Sequence, residues 1–115
     1  MEIKPINRNA LVISPKKAML DWINTLSNGT DNVVIDLESH DEANVYLLKE
    51  TANVAASLKW LQKNFQEVFA EELFAWWTDE SVWPPMTWKN FELFCHYRIH
   101  TCVYDTVRGG IKYDF

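Results

Sequence analysis

Twelve of the sixteen aromatic residues in this 115-residue chain fall between Trp60 and Tyr104, among them Phe74-Ala75-Trp76-Trp77, Trp83-Pro84-Pro85 and Trp88. Large rings bury much apolar area at small entropic cost, so such a block marks the second half of the chain as the main source of core. Each indole also carries an N–H that needs a polar partner, which ties the rings to particular packing arrangements. Trp76 and Trp77 are adjacent and stand about 100° apart on a helix, so one of the two is expected to be partly exposed. Beside the Trp83-Pro84-Pro85 turn that ring is a candidate anchor for a partner, because Trp is enriched at interface hot spots. The alternative is that the turn folds back and covers it. Trp76, Trp77 and Trp83 are accordingly the interface candidates.

A chain of this length fits one domain, residues 1–115, burying roughly 65% of the surface it exposes when unfolded. Its hydrophobic and charged content is that of an ordered globular protein. The formal net charge of −5 argues against a generic nucleic-acid binder, which needs a concentrated basic face. Lys16-Lys17 with Arg8, and Lys59 with Lys63, read as solvated charges. Glu2-Ile3-Lys4-Pro5 holds no apolar run of signal-peptide length, and no segment reaches the roughly 18 apolar residues of a membrane span. A cytoplasmic protein is expected, with Cys95 and Cys102 as reduced thiols.

Asn9 to Ile13 is a short apolar, β-branched run and predicts a buried strand. Ser14-Pro15 has the chemistry of an N-cap followed by the first helical residue, predicting a helix from Pro15 to about Leu26. Met19, Trp22, Ile23 and Leu26 form its buried stripe, and Ser27-Asn28-Gly29 ends it. Asn32 to Leu37 and Asn44 to Leu48 are two further strand candidates, with Glu38 to Glu42 as a hairpin loop or an irregular segment. From about Asn53 the period turns helical. Leu58, Leu61, Phe65, Val68/Phe69, Leu73 and Trp76 trace one stripe against Lys59, Lys63, Gln66, Glu67 and Glu71. The helix should stop near Trp77-Thr78, ahead of the Trp83-Pro84-Pro85 segment. Thr87 is placed to cap a third helix, with Met86 and Phe91 as a hydrophobic staple. Its buried face takes in Trp88, Phe91, Phe94 or Cys95, and Arg98. Ile99 to Val107 reads as a last strand, and a mobile tail begins at Arg108-Gly109-Gly110. The class is α+β: order β-α-β-β-α-α-β, a small mainly antiparallel sheet with helices on one face, compatible with a ferredoxin-like split βαβ arrangement.

Cys95, His96, His100 and Cys102 are the residue types of a zinc site, and on one continuous helix His96 and His100 would share a face. The grouping is incomplete, since Cys95 points elsewhere and a helix-to-strand change within it would scatter the ligands. The plain alternative makes both cysteines small buried hydrophobes. Glu71 and Glu72 beside the tryptophans could support acid–base chemistry if an apolar surrounding raised a carboxyl pKa. As exposed acids they would serve only solvation. Asp105 is expected to pair with Arg8 or Arg98 if the first and last strands meet. No serine has a nucleophile-elbow context, and no cofactor is implied.

Asn7-Arg8-Asn9-Ala10-Leu11-Val12-Ile13 with Pro15, Leu20-Asp21-Trp22, Val45-Tyr46-Leu47-Leu48, Trp76-Trp77, Trp83-Pro84 and Val103-Tyr104-Asp105 together resemble a family of short uncharacterised bacterial proteins. The resemblance spans nearly the whole chain. It implies a compact bacterial cytosolic protein and carries no activity, cofactor or catalytic residue; the Cys95 to Cys102 grouping is outside its pattern. The function expected is a small non-catalytic binding or interaction protein, with a protein partner or a homodimer formed through the aromatic surface. A small metal-dependent or hydrolytic enzyme is the alternative.

Overall fold

Along Asn9-Ala10-Leu11-Val12-Ile13, alternate side chains must point to opposite sides of an extended backbone, and only one set meets the helices. The computed structural model, which describes residues 1–26 and 43–114, contains β1 (Lys4–Pro5), β2 (Arg8–Pro15), α1 (Lys17–Leu26) and β3 (Asn44–Lys49). These are followed by α2 (Val54–Trp76), α3 (Trp88–Phe94), β4 (Cys95–His100) and β5 (Tyr104–Asp105). The architecture is α+β. β2 is the central strand of a β3-β2-β4 sheet in which both neighbours run antiparallel to it. β1 and β5 form a separate two-residue antiparallel ladder.

The described strands agree with the one-sided antiparallel sheet expected, and β4-β2-β3 is an order that a ferredoxin-like arrangement accommodates. The strand expected at Asn32 to Leu37 and the helix stop at Ser27-Asn28-Gly29 lie outside the described residues.

Leu11 and Ile13 of β2 are buried beneath the helices, together with Met19 and Ile23 of α1, Leu61, Phe69 and Leu73 of α2, and Phe91 and Phe94 of α3. The aromatic block builds this core. Phe69 packs edge-on to Phe91 at 5.6 Å and to Phe94 at 5.9 Å, and Phe91 stacks on Tyr97 of β4 at 5.8 Å.

The long helix starts where the sequence predicts: the Asn53 side chain accepts the Ala56 amide at 2.9 Å. Thr87 caps α3 through the Asn90 amide, and Met86 packs against the core that contains Phe91.

Three local expectations are corrected. Ser14 is not an N-cap, because the ladder continues through it, pairing Ser14 with His96 and Pro15 with Cys95. The helix begins only at Lys17, its first turn closed by the Met19 amide on the Lys16 carbonyl. Second, α3 stops at Phe94 and the last strand of the sheet starts at Cys95, four residues before the expected Ile99. Arg98 therefore lies on a strand and is exposed rather than on a buried helix face. Cys95, Tyr97 and Ile99 alternate with His96, Arg98 and His100, and this period of two outweighs a helix continuation once β2 offers a pairing edge. Third, Tyr104–Asp105 leaves the main sheet to pair with Lys4–Pro5, an element the apolar pattern does not signal.

Phe69→Ala should lower unfolding free energy by about 3–5 kcal/mol, whereas Phe74→Ala, on a ring 53% exposed, should change it by less than about 0.5 kcal/mol. Urea denaturation of both variants checks the assignment of the α2 faces.

Candidate functional site

The helix layer is joined to the sheet by two buried polar clusters as well as by apolar packing. Near the start of α2, the fully buried Asn9 donates from Nδ2 to Thr51 Oγ1 at 2.7 Å and to Ser57 Oγ at 2.8 Å. Its Oδ1 has no hydrogen-bond partner among the described residues. Toward the far end, Glu72 is only 2% exposed. Its Oε2 accepts the Tyr46 hydroxyl at 2.5 Å and the Asn44 amide at 2.9 Å.

Glu72 is thus not the solvated helix acid that its neighbour Glu71 is. Burial pushes its pKa above the ordinary value of 4.5, and the hydrogen bonds from Tyr46 and Asn44 oppose that shift. Burial, followed by the Glu72 carboxylate, holds the Tyr46 phenol well above its ordinary value. Both donors come from β3, so one carboxyl on α2 fastens the outer strand of the described sheet. A group so enclosed reaches no substrate from bulk solvent; its contacts are to the strand.

The four metal candidates are separated. Cys95 points into the core and is buried, and its thiol is pushed up to about 12, chiefly by burial and then by the Glu72 charge. His96 and His100 are exposed on the opposite face of β4. Four residues along a strand span about 13 Å, too far for two imidazoles to share one ion. Cys102 is an exposed thiol beyond the strand end. Among the described residues no group of three or more His, Cys, Asp or Glu side chains could hold a metal ion. The continuous helix that would have gathered them ends at Phe94.

Trp76, Trp77 and Trp83 are all half-buried. Trp83 donates its indole N–H to the Trp77 carbonyl at 2.8 Å, and Trp76 and Trp83 pack against the core. The turn folds back over the end of α2, so these rings do not stand out as an open patch. Asp105 does not bridge to Arg8 or Arg98 among the described residues; its Oδ1 accepts the Val107 amide, and its strand pairs with Lys4.

Exposed apolar surface concentrates elsewhere. Leu48 is buried toward the helices, which turns Val45 and Leu47 of β3 outward at 62% and 48% exposure. A cleft of about 750 Å³ runs along this strand between Val45, Leu47 and Trp60 on one side and Gly110, Ile111 and Tyr113 of the C-terminal segment on the other. Gly109 has φ +97°, a backbone state that side chains disfavour, and there the chain turns into the cleft wall. Tyr46 and Trp60 also border a second cleft of about 510 Å³ against Val68 and Glu71 of α2. Tyr46, the donor to Glu72, is therefore a wall of both.

Neither the protein-family models, nor the curated proteins, nor the solved structures include a match to this chain. No helix among the described residues is long and apolar enough to cross a membrane. Val45, Leu47 and Trp60 escape a reading of the sequence because an apolar alternation signals a strand without saying which of its faces is covered. The only available hint was that Val45-Tyr46-Leu47-Leu48 is apolar on both faces.

Two measurements follow from these environments. Glu72 binds its proton more tightly folded than unfolded, so between pH 4.5 and its raised folded value the unfolded chain holds fewer protons, and stability falls as pH rises. Wild type should lose unfolding free energy relative to Glu72→Gln as pH increases through that window, read from urea midpoints at each pH. For the thiols, iodoacetamide should modify the native protein at Cys102 alone and reach Cys95 only in denaturant, as mass spectrometry of both states will report.

Proposed function

We propose that this is a small non-catalytic binding protein that docks a protein partner along β3 and the cleft beside it. The observation that carries this reading is the outward row of Val45 and Leu47, exposed next to a 750 Å³ cleft whose walls include Trp60 and Ile111. Single exposed apolar residues are ordinary, but several gathered around one concavity are the composition of an interaction site. The enzymatic alternative has its best acid–base candidate in Glu72, whose hydrogen bonds engage β3 and whose carboxyl is enclosed. Its role in the proposal is to position Tyr46 and the strand that carries the docking row.

The resemblance to short bacterial proteins fits a compact protein of this kind and adds no activity. A homodimer through the tryptophan turn receives less support than a partner at β3, because Trp76, Trp77 and Trp83 are half-buried.

A side chain held for binding can be changed without harm to folding. Leu47→Asp should leave the urea midpoint within the range of about 0.5 kcal/mol typical of surface substitutions. A photo-crosslinking side chain at position 47 should trap one discrete partner in the producing cell, and the same group at the exposed position of Asp21 on α1 should not. Equal, diffuse labelling from both positions would count against β3 as the docking row.

A further inference from the structure

On the face of the sheet turned away from the helices, the ladder register sets Leu47, Ala10 and His100 in one row and Val45, Val12 and Arg98 in the next. Arg8 and Lys49 pair at one end, and Ser14 and His96 at the other. The face is therefore apolar along β3, small along β2, where Ala10 is buried and Val12 partly buried between their neighbours, and basic along β4 and at one end. No carboxylate occupies a place in this register, although the chain as a whole carries a net charge of −5.

Arg8 uses its guanidinium on the Asn7 carbonyl and side chain, and neither it nor Arg98 nor Lys49 has an acidic partner among the described residues. Among the described residues the one acid bordering the neighbouring cleft, Asp105, accepts the Val107 amide at one carboxylate oxygen.

An acidic protein that gathers unpaired cations beside an apolar row presents a surface complementary to an acidic amphipathic partner. We infer that this open sheet face receives an amphipathic acidic helix of a partner protein, its apolar stripe on Val12, Val45 and Leu47 and its carboxylates at Arg98 and at Arg8 and Lys49. This deepens the docking proposal and rests on it.

The dimensions agree: two inter-strand spacings separate β3 from β4 by about 10 Å, the diameter of one helix with its side chains. The face also selects among partners. Among the described residues the paired positions of this face hold no carboxylate, so they offer no counter-charge to a second copy of themselves across a two-fold axis. It presents no aromatic ring for base stacking and only three arginine and lysine side chains, so single-stranded nucleic acid would find neither its stacking platform nor its basic track.

The test uses the full chain and a fluorescein-labelled synthetic helix with a leucine stripe flanked by glutamates, titrated by anisotropy at 0.05 and 0.15 M salt, on the order of physiological ionic strength. Saturable binding that weakens at higher salt is expected. Arg98→Glu should weaken it about tenfold or more. Lys63→Glu, which makes the same change of net charge on the exposed face of α2, should not. Both sites are exposed, and urea midpoints confirm that each variant is folded.

Equal binding of a helix with lysines in place of glutamates, an unchanged affinity in Arg98→Glu, or tighter binding of a 20-nucleotide single-stranded DNA would overturn the inference. Crosslinking at position 47 separates the two claims. A discrete partner trapped there without binding of the acidic helix leaves the docking site standing and removes only its acidic specificity, whereas failure of both removes both.

Discussion

Helices cover the three-stranded sheet on one side only, and the rest of the structure depends on that asymmetry. β2 can bury its odd-numbered side chains because α1, α2 and α3 pack together over Leu11 and Ile13, with Phe69 and Phe91 filling the space between the layers. The even-numbered side chains of the same strand point to the other face, where Ala10 is buried between its neighbours and Val12 and Ser14 are partly buried. A two-layer arrangement is enough for one core in a chain of this length, and among the described residues no helix covers the second face of the sheet. That face is where Val45, Leu47 and Arg98 lie.

Apolar packing alone lets a helix slide on a sheet, and here two polar clusters define where α2 sits. Asn9 reaches Thr51 and Ser57 near one end, while Glu72 takes Asn44 and Tyr46 toward the other. A buried carboxyl is costly to desolvate and becomes tolerable through its hydrogen bonds or by holding a proton. Replacing it with an apolar residue would leave the Tyr46 hydroxyl and the Asn44 amide without their acceptor, the costly outcome for buried polar groups. The cluster also links the core to the surface, because the tyrosine that satisfies Glu72 borders both clefts. Changes at Glu72 would therefore be transmitted to β3 and to whatever occupies its flank.

Charge is distributed in the same uneven way. The acids of α2 and of the turn after it face solvent or the interior, whereas among the described residues the paired positions on the outer sheet face hold cations and histidines without carboxylates. Net charge describes the solubility and long-range field of the molecule, while recognition is set by the local arrangement. An acidic protein can thus carry a locally basic face.

Local chemistry decided much of this fold. The apolar run at Leu11 to Ile13 with its β-branched Val12 and Ile13, the 3.6-residue stripe from Leu61 to Leu73, the Thr87 cap and the aromatic block all act within a few residues, and each is legible without knowing the partner elements. Serine followed by proline at positions 14 and 15 carried an equally plausible local signal for a helix start, yet the pairing of Ser14 with His96 prevailed. A sheet edge offers hydrogen bonds along the whole backbone, whereas a cap satisfies one amide.

The same long-range pairing drew Cys95 to His100 into a strand and set its thiol and its imidazoles on opposite faces, dispersing the apparent metal ligands. The tryptophans at 76, 77 and 83 were visible as large rings, but only the folded turn tied the Trp83 indole to the Trp77 carbonyl and set Trp76 and Trp83 against the core. Glu72 and Glu71 look alike in sequence; helix phase against the sheet buried one and left the other in water. The sequence by itself determined the α+β class, the long helix and the aromatic core, because periodicity and capping are short-range. Only the tertiary structure decided which faces remain uncovered, since exposure depends on what the distant parts of the chain do not reach.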